Sequence, residues 1–196
     1  MDRNIEIVPA IKRIEMTHVG CWNELTMEFL PGLNIITEDY PGSGKSTILW
    51  AIVRALQPLV RNDYLLTPSV GQPAGDISVD FMYESISLRI ANPVNLPLVC
   101  AQNESVSHFN LKLLKACVKV APAGTAILVG EEITTVLDTY AGTEATKLLC
   151  TATCQLICIF GHYVDTNPFK QARIFTCRKG TGWGRNREII LRQPGG

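Results

Sequence analysis

The sequence predicts a mixed α/β fold, in which a largely parallel core sheet carries an added antiparallel β subdomain, within a single domain spanning residues 1–196. Apolar and polar residues alternate near the start of the chain, as they do in strands with one buried face. In the second half strands alternate with helices, which favours parallel pairing through crossover helices. Hydrophobic residues make up 46% of the sequence, which is enough for one core.

The first strands lead directly into a glycine-containing loop. Ile11–Met16 is expected to form one strand, and the alternation across residues 25–29 predicts a second strand with one buried face. A short apolar strand is predicted for Leu33–Thr37, just before the loop. The helix after the loop is predicted over Lys45–Gln57, because Pro58 cannot continue a helix.

Periodicity also predicts the later elements. Alternation indicates strands, and apolar residues that share one helical face indicate helices. The predicted elements are an antiparallel hairpin of residues 77–81 and 86–90, a short strand at Leu98–Ala101, a helix over Ser107–Val120, a strand at Ala126–Val129, a helix over Thr143–Thr151, and strands at Leu156–Phe160, Arg173–Cys177 and Glu188–Arg192.

Charge and hydropathy limit the classes of function. Lys and Arg together number 18, as do Asp and Glu, so the net charge is +0 and binding to DNA would need a local basic patch. No apolar run reaches the roughly 18 residues of a membrane span, and no signal peptide is recognisable. We therefore expect a cytoplasmic protein without a membrane span. The odd number of cysteines, seven, favours reduced thiols.

Residues 39–47 lie between a predicted strand and a predicted helix, which is the context of a phosphate-binding P-loop. Two glycines let backbone amides turn toward phosphates, and the helix N-terminus adds partial positive charge. Lys45 is expected to bridge the β- and γ-phosphates of ATP, and Ser46 to bind Mg²⁺. The predicted nucleotide-binding residues are Gly42, Ser43, Gly44, Lys45, Ser46 and Thr47.

One position departs from the motif GxxxxGK[ST]. Asp39 stands where the motif has its first glycine. A carboxylate there either weakens phosphate binding or points away from the phosphates, and the sequence leaves both interpretations open.

Two carboxylates, Glu131 and Glu132, follow the apolar strand at residues 126–129. Open α/β sheets bind ligands at the carboxyl ends of their strands, so we expect this pair next to the P-loop. Glu131 is expected to hold the Mg²⁺ shell, and Glu132 to accept a proton from the attacking water. A solvated turn is the simpler alternative.

The run from Glu131 to Asp138 resembles the Walker B and D-loop region of ABC-type ATPases. That family has aspartate where Glu131 stands, whereas Glu132 matches its catalytic glutamate and Asp138 matches the end of the D-loop. Residues 156–162 resemble the strand that leads to the family's switch histidine, which implies that His162 senses the γ-phosphate. A structural or surface histidine is the alternative.

The family's signature, LSGGQ, is degenerate in this chain. Within residues 106–110 only Ser107 matches, and both glycines are absent. The resemblance implies that Ser107 contacts the γ-phosphate bound by the opposite subunit, although a plain helix N-cap is the alternative. Gln102 is the first candidate for the Q-loop glutamine that binds the metal, and Gln72 is the second.

Residues 11–16, 25–29 and 31–36, which lead into the P-loop, resemble the N-terminal lobe of SMC, RecF and related DNA-repair ATPases. The resemblance implies a P-loop NTPase fold of the ABC/SMC-like head type. Gln102 and Ser107 are nearly adjacent, so the coiled coil or helical lobe that such proteins insert between them is missing.

The implied function is Mg²⁺-dependent ATP hydrolysis by an ATP-dependent dimeric switch, formed as a homodimer or a hetero-oligomer. Each P-loop would face Ser107 and Asp138 of the opposite subunit, and hydrolysis through Glu132 would open the pair. The implied output is DNA maintenance, repair or mobile-element biology. The alternatives are a nucleotide-binding module with little turnover that regulates or assembles with a partner, an ABC transporter's energising subunit, and a small-molecule kinase.

Overall fold

A computed structural model describes residues 5–56, 71, 74–82, 106–130, 140–180 and 187–195. Within these ranges the strands are β1 Ile5–Pro9, β2 Ile11–Val19, β3 Trp22–Glu28, β4 Leu33–Glu38, β5 Asp76–Phe81, β6 Thr125–Val129, β7 Gln155–Ile159, β8 Arg173–Lys179 and β9 Arg187–Arg192. The helices are α1 Lys45–Leu56, α2 Val106–Val120 and α3 Tyr140–Thr151. None of these helices is long and apolar enough to cross a membrane.

The strands form two sheets. The larger sheet has six strands in the order β1-β6-β7-β4-β8-β9, and its inner strands β6, β7, β4 and β8 pair in parallel. β1 and β9 are antiparallel to their neighbours at the two edges. The smaller sheet has three antiparallel strands in the order β3-β2-β5. The predicted α/β fold, with a mixed sheet of parallel and antiparallel strands, is therefore confirmed.

The inner strands of the larger sheet are buried on both faces because a layer of structure covers each face. Side chains alternate between the faces, so Ile35 and Ile36 of β4 belong to different apolar clusters. The cluster of Ile36 includes residues of α1 and of the smaller sheet, whereas that of Ile35 includes residues of α2 and α3. Helix α1, which follows β4, and helix α3, which precedes β7, therefore pack on opposite faces of the larger sheet.

Several boundaries differ from the prediction. β1 is not among the predicted strands. It is a short strand that ends at Pro9, and among the described strands it pairs with β6 alone. Proline is tolerated in such edge strands because one side of the strand needs no sheet partner. Helices α2 and α3 begin earlier than predicted, at Val106 and Tyr140. The predicted strands at residues 86–90 and 98–101 lie outside the described residues.

Two buried amide side chains hold the chain where it passes between the sheets. Gln155 accepts a hydrogen bond from the N–H of Ile11 at 2.7 Å and donates to the carbonyls of Ile11 at 2.8 Å and Leu30 at 2.7 Å. Asn34 accepts from the N–H of Leu30 at 2.8 Å and donates to its carbonyl at 2.9 Å. These bonds satisfy buried backbone groups and fix the position at which β4 starts.

Replacing Gln155 by Leu is expected to lower the free energy of unfolding by about 3 kcal/mol, because buried backbone groups would lose their partners. Chemical denaturation measures this change. The control Gln171→Leu alters an exposed glutamine and should change stability by less than about 0.5 kcal/mol. Equal losses in the two variants would contradict the role given to Gln155.

Candidate functional site

The loop at residues 39–44 connects β4 to α1, and its backbone requires glycine. Gly42 and Gly44 have φ angles of 80° and 96°, which side chains disfavour. A Cβ on Gly44 would lie 2.3 Å from Sγ of Cys21 and 2.8 Å from Nε1 of Trp22. Trp22 Nε1 also donates a hydrogen bond to the carbonyl of Gly44 at 3.1 Å. The start of β3 therefore packs directly against the loop and leaves no room for a side chain there.

The lysine that opens α1 is buried against a carboxylate. Lys45 Nζ lies 2.8 Å from Oε1 of Glu38, and the two side chains are only 6% and 3% exposed. The second carboxylate oxygen, Oε2, accepts hydrogen bonds from Oγ of Ser43 at 2.7 Å and from its backbone N–H at 3.4 Å. An ammonium group, a hydroxyl and a loop amide thus converge on one oxyanion.

Two arginines contact the loop from the hairpin of β8 and β9. Arg187 Nη2 donates to the carbonyl of Gly42 at 3.3 Å, and its Nε is buried without a hydrogen-bond partner among the described residues. The guanidinium of Arg178 forms an ion pair with the carboxylate of Asp39. Of the two interpretations of Asp39, this ion pair favours a carboxylate that turns toward β8.

Ser46 and Thr47 lie in the first turn of α1. Ser46 is exposed, whereas Thr47 is half-buried beside Gly20. A Cβ added to Gly20 would lie 3.1 Å from Cγ2 of Thr47. This turn contains no acidic residue, so no side chain within it offsets the partial positive charge of the helix N-terminus. The start of α1 is therefore electrostatically suited to an anion.

A protonated thiol lies near the ion pair. Burial, reinforced by the negative charge of Glu38, raises the pKa of Cys177 from 9.0 to about 12. The positive charges of Lys45 and Arg187 lower this pKa, but by less than burial raises it. Cys177 therefore stays neutral at physiological pH and adds no second negative charge beside Glu38.

The loop, the acidic run and the histidine all follow strands that end at the same edge of the larger sheet. β4, β6 and β7 are parallel, and β7 lies between the other two. β6, the strand that precedes the acidic run, is therefore separated from β4 by β7, and the two strands lie about 10 Å apart. The N–H of Phe160 donates to the carbonyl of Ile36 at 2.8 Å, which ties the end of β7 to β4. His162 is exposed, and its ring centroid lies 5.5 Å from that of Tyr163.

Most of the other predicted site residues are not among those that the structure describes. Gln72, Gln102, Glu131, Glu132 and Asp138 lie outside the described residues, and their roles stay predictions. Ser107 lies in the first turn of α2, which begins at Val106, and its role stays a prediction. In the part of the chain that the structure describes, no group of three or more His, Cys, Asp or Glu residues could hold a metal ion.

Three residues that contact the loop, Glu38, Arg178 and Arg187, are not among the predicted site residues. A signal for Glu38 exists, because a carboxylate that ends an apolar, fully buried strand needs a cationic or hydrogen-bonding partner. The arginines give no such signal, since the residues that they contact precede them by 139 and 145 positions in the chain.

The chain matches no protein-family model and no curated protein. The chemistry of the site is therefore inferred from its own residues. They form a glycine-dependent loop at a helix N-terminus, in which a lysine, a serine and a carboxylate are buried together.

Replacing Gly44 by Ala is expected to reduce the free energy of unfolding by about 2 kcal/mol or more, because of its left-handed φ and the collision with Cys21. Urea denaturation tests this. The matched control is Gly32→Ala, whose new methyl would meet nothing within 4 Å. If the two alanine variants are equally stable, the close packing of β3 on the loop is wrong.

Proposed function

We propose that the chain is an ATP-binding protein of the P-loop NTPase type, which hydrolyses ATP with Mg²⁺ and acts as a dimeric switch. The observation that carries the proposal is the convergence of Lys45 Nζ and Ser43 Oγ on a carboxylate, at 2.8 and 2.7 Å, directly before α1. A phosphate oxygen is also an oxyanion, and it accepts hydrogen bonds from the same kinds of donor.

The surroundings of the loop support an anionic ligand. The positive end of α1 has no acidic residue in its first turn, and Arg187 adds a cation where it contacts Gly42. The positive φ angles of Gly42 and Gly44 suit a loop whose successive amides line an anion-binding concavity. The ion pair with Arg178 reduces the repulsion that Asp39 would exert on phosphates.

In the proposed complex, Lys45 would neutralise charge on the β- and γ-phosphates. Ser46, exposed in the first turn of α1, would bind Mg²⁺ through its hydroxyl oxygen, with Glu131 and Gln102 completing the protein's share of the ligands. Bound Mg²⁺ would neutralise further negative charge on the phosphate oxygens.

Hydrolysis would need a base and a sensor near the γ-phosphate. Glu132 would take a proton from water as its oxygen attacks the γ-phosphorus, while the bond to the bridging oxygen breaks and ADP leaves. Topology supports this assignment, because β6, which precedes the acidic run, ends at the same sheet edge as β4. His162 follows the strand between them and would contact the γ-phosphate.

The proposed switch is a sandwich of two subunits around nucleotide. Ser107 and Asp138 would face the phosphates bound by the opposite subunit, so that ATP joins the pair and hydrolysis releases it. The resemblance to SMC and RecF ATPases supports an output in DNA maintenance, repair or mobile-element biology.

ATP binding is tested first with Lys45→Ala. Removing this ammonium is expected to weaken Mg-ATP binding at least about tenfold, since a direct charge-assisted contact with the phosphates would be lost. Isothermal titration calorimetry measures the affinity. Lys147→Ala, which alters an exposed lysine on α3, should bind ATP like the wild type. Equal affinities in all three proteins would refute a site at Lys45.

The switch is tested with Glu132→Gln, which should retain ATP but not hydrolyse it. The variant is expected to accumulate as a dimer in Mg-ATP, because the closed state would no longer be released. Light scattering measures the mass, and Glu24→Gln, on an exposed position of β3, is the control. A variant that binds Mg-ATP and stays monomeric would rule out the sandwich.

A nucleotide-binding module with little turnover is the second candidate. It is favoured by the buried ion pair of Lys45 with Glu38, because the carboxylate contacts the ammonium group that phosphate binding requires. A phosphate-release assay on the wild type separates the two functions. Turnover that Lys45→Ala and Glu132→Gln both abolish excludes the module.

A further inference from the structure

Glu38 already uses the groups that a bound phosphate would need. One of its oxygens lies 2.8 Å from Nζ of Lys45, and the other accepts from Oγ of Ser43 at 2.7 Å and from its N–H at 3.4 Å. The carboxylate is therefore bound in the same way as an external oxyanion would be. The P-loop motif does not single out this position, because Glu38 precedes the eight residues of the motif.

A triphosphate cannot simply join this arrangement. The side chains of Lys45 and Glu38 are 6% and 3% exposed, so an incoming phosphate would not reach the ammonium while the carboxylate covers it. A second anion placed beside the carboxylate in this buried setting would also be repelled, because charges interact strongly where water is excluded. Binding would have to exchange one anion for the other.

We propose that Glu38 is an internal competitor of the nucleotide, whose carboxylate binds Lys45 and Ser43 and leaves them when the phosphates of ATP bind. This inference rests on the proposed ATP site and adds a regulatory contact to it. It also defines the class of ligand, since a polyphosphate carries enough negative charge to displace the carboxylate.

The test compares Glu38→Gln with the wild type by calorimetry, using Mg-ATP and inorganic tripolyphosphate with Mg²⁺ as ligands. Glutamine keeps the length of the side chain and one of its two acceptor oxygens, but it lacks the charge that competes with phosphate. We expect Glu38→Gln to bind both ligands about tenfold more tightly than the wild type does. The factor should be similar for the two ligands, because the competition concerns the phosphates and not the nucleoside.

Two further variants make the outcome decisive. Glu24→Gln removes an exposed carboxylate from β3 and should leave both affinities unchanged. Glu38→Asp keeps the charge on a shorter side chain that cannot reach both partners, so it should tighten binding by a smaller factor. This variant replaces Glu38→Gln in the comparison if Glu38→Gln does not fold. Melting temperatures establish which variants are folded.

The possible failures are distinguishable. If the wild type binds Mg-ATP and the folded Glu38 variants bind it no more tightly, the competition is wrong while the ATP site stands. If neither the wild type nor the folded Glu38 variants bind Mg-ATP or tripolyphosphate, both the competition and the proposed function are wrong. If the Glu38 variants bind Mg-ATP and tripolyphosphate while the wild type does not, both the competition and the proposed function are supported.

Discussion

The loop between β4 and α1 depends on one buried ion pair. Transferring a lone carboxylate or ammonium group from water into a protein interior costs several kcal/mol, so neither Glu38 nor Lys45 would be stable in its position without the other. Ser43 provides two further donors to the carboxylate, and these bonds fix how the loop turns into the helix. The conformation of the loop thus depends on charge pairing as well as on its glycines.

Packing from the smaller sheet adds a second constraint on the same loop. The turn between β2 and β3 brings Cys21 and Trp22 against Gly44, and Gly20 against Thr47. Gln155 binds Ile11 and Leu30, and so anchors the other ends of β2 and β3 to the start of β7. The smaller sheet is therefore part of the site's framework and not a separate appendage.

Local patterns explain how much of the molecule could be predicted from the sequence. Alternation and helical periodicity depend on near neighbours, and they located β2, β4 and α1 within a few residues. The loop was predicted for the same reason, since its glycines and Lys45 lie within one short motif. β1 was missed because a short edge strand ending in Pro9 has little pattern. The contacts of Arg178 and Arg187 depend on tertiary pairing of β8 with β4 and β9, which no local pattern encodes.

The ion pair between Glu38 and Lys45 also determines which anions could reach the lysine of the P-loop motif. An uncovered lysine at a helix N-terminus would attract any small anion, whereas Lys45 is covered by Glu38, and in the proposed exchange only a ligand with more negative charge would displace that carboxylate. A switch requires two states whose balance the ligand alters, and a ligand shifts that balance only by its preference for one state. In the proposed exchange, the pairing of Glu38 with Lys45 defines one state, and phosphate contacts to the same lysine would define the other. Because the two anions need the same donors, the states would exclude each other, and the proposed binding of ATP would shift the balance between them.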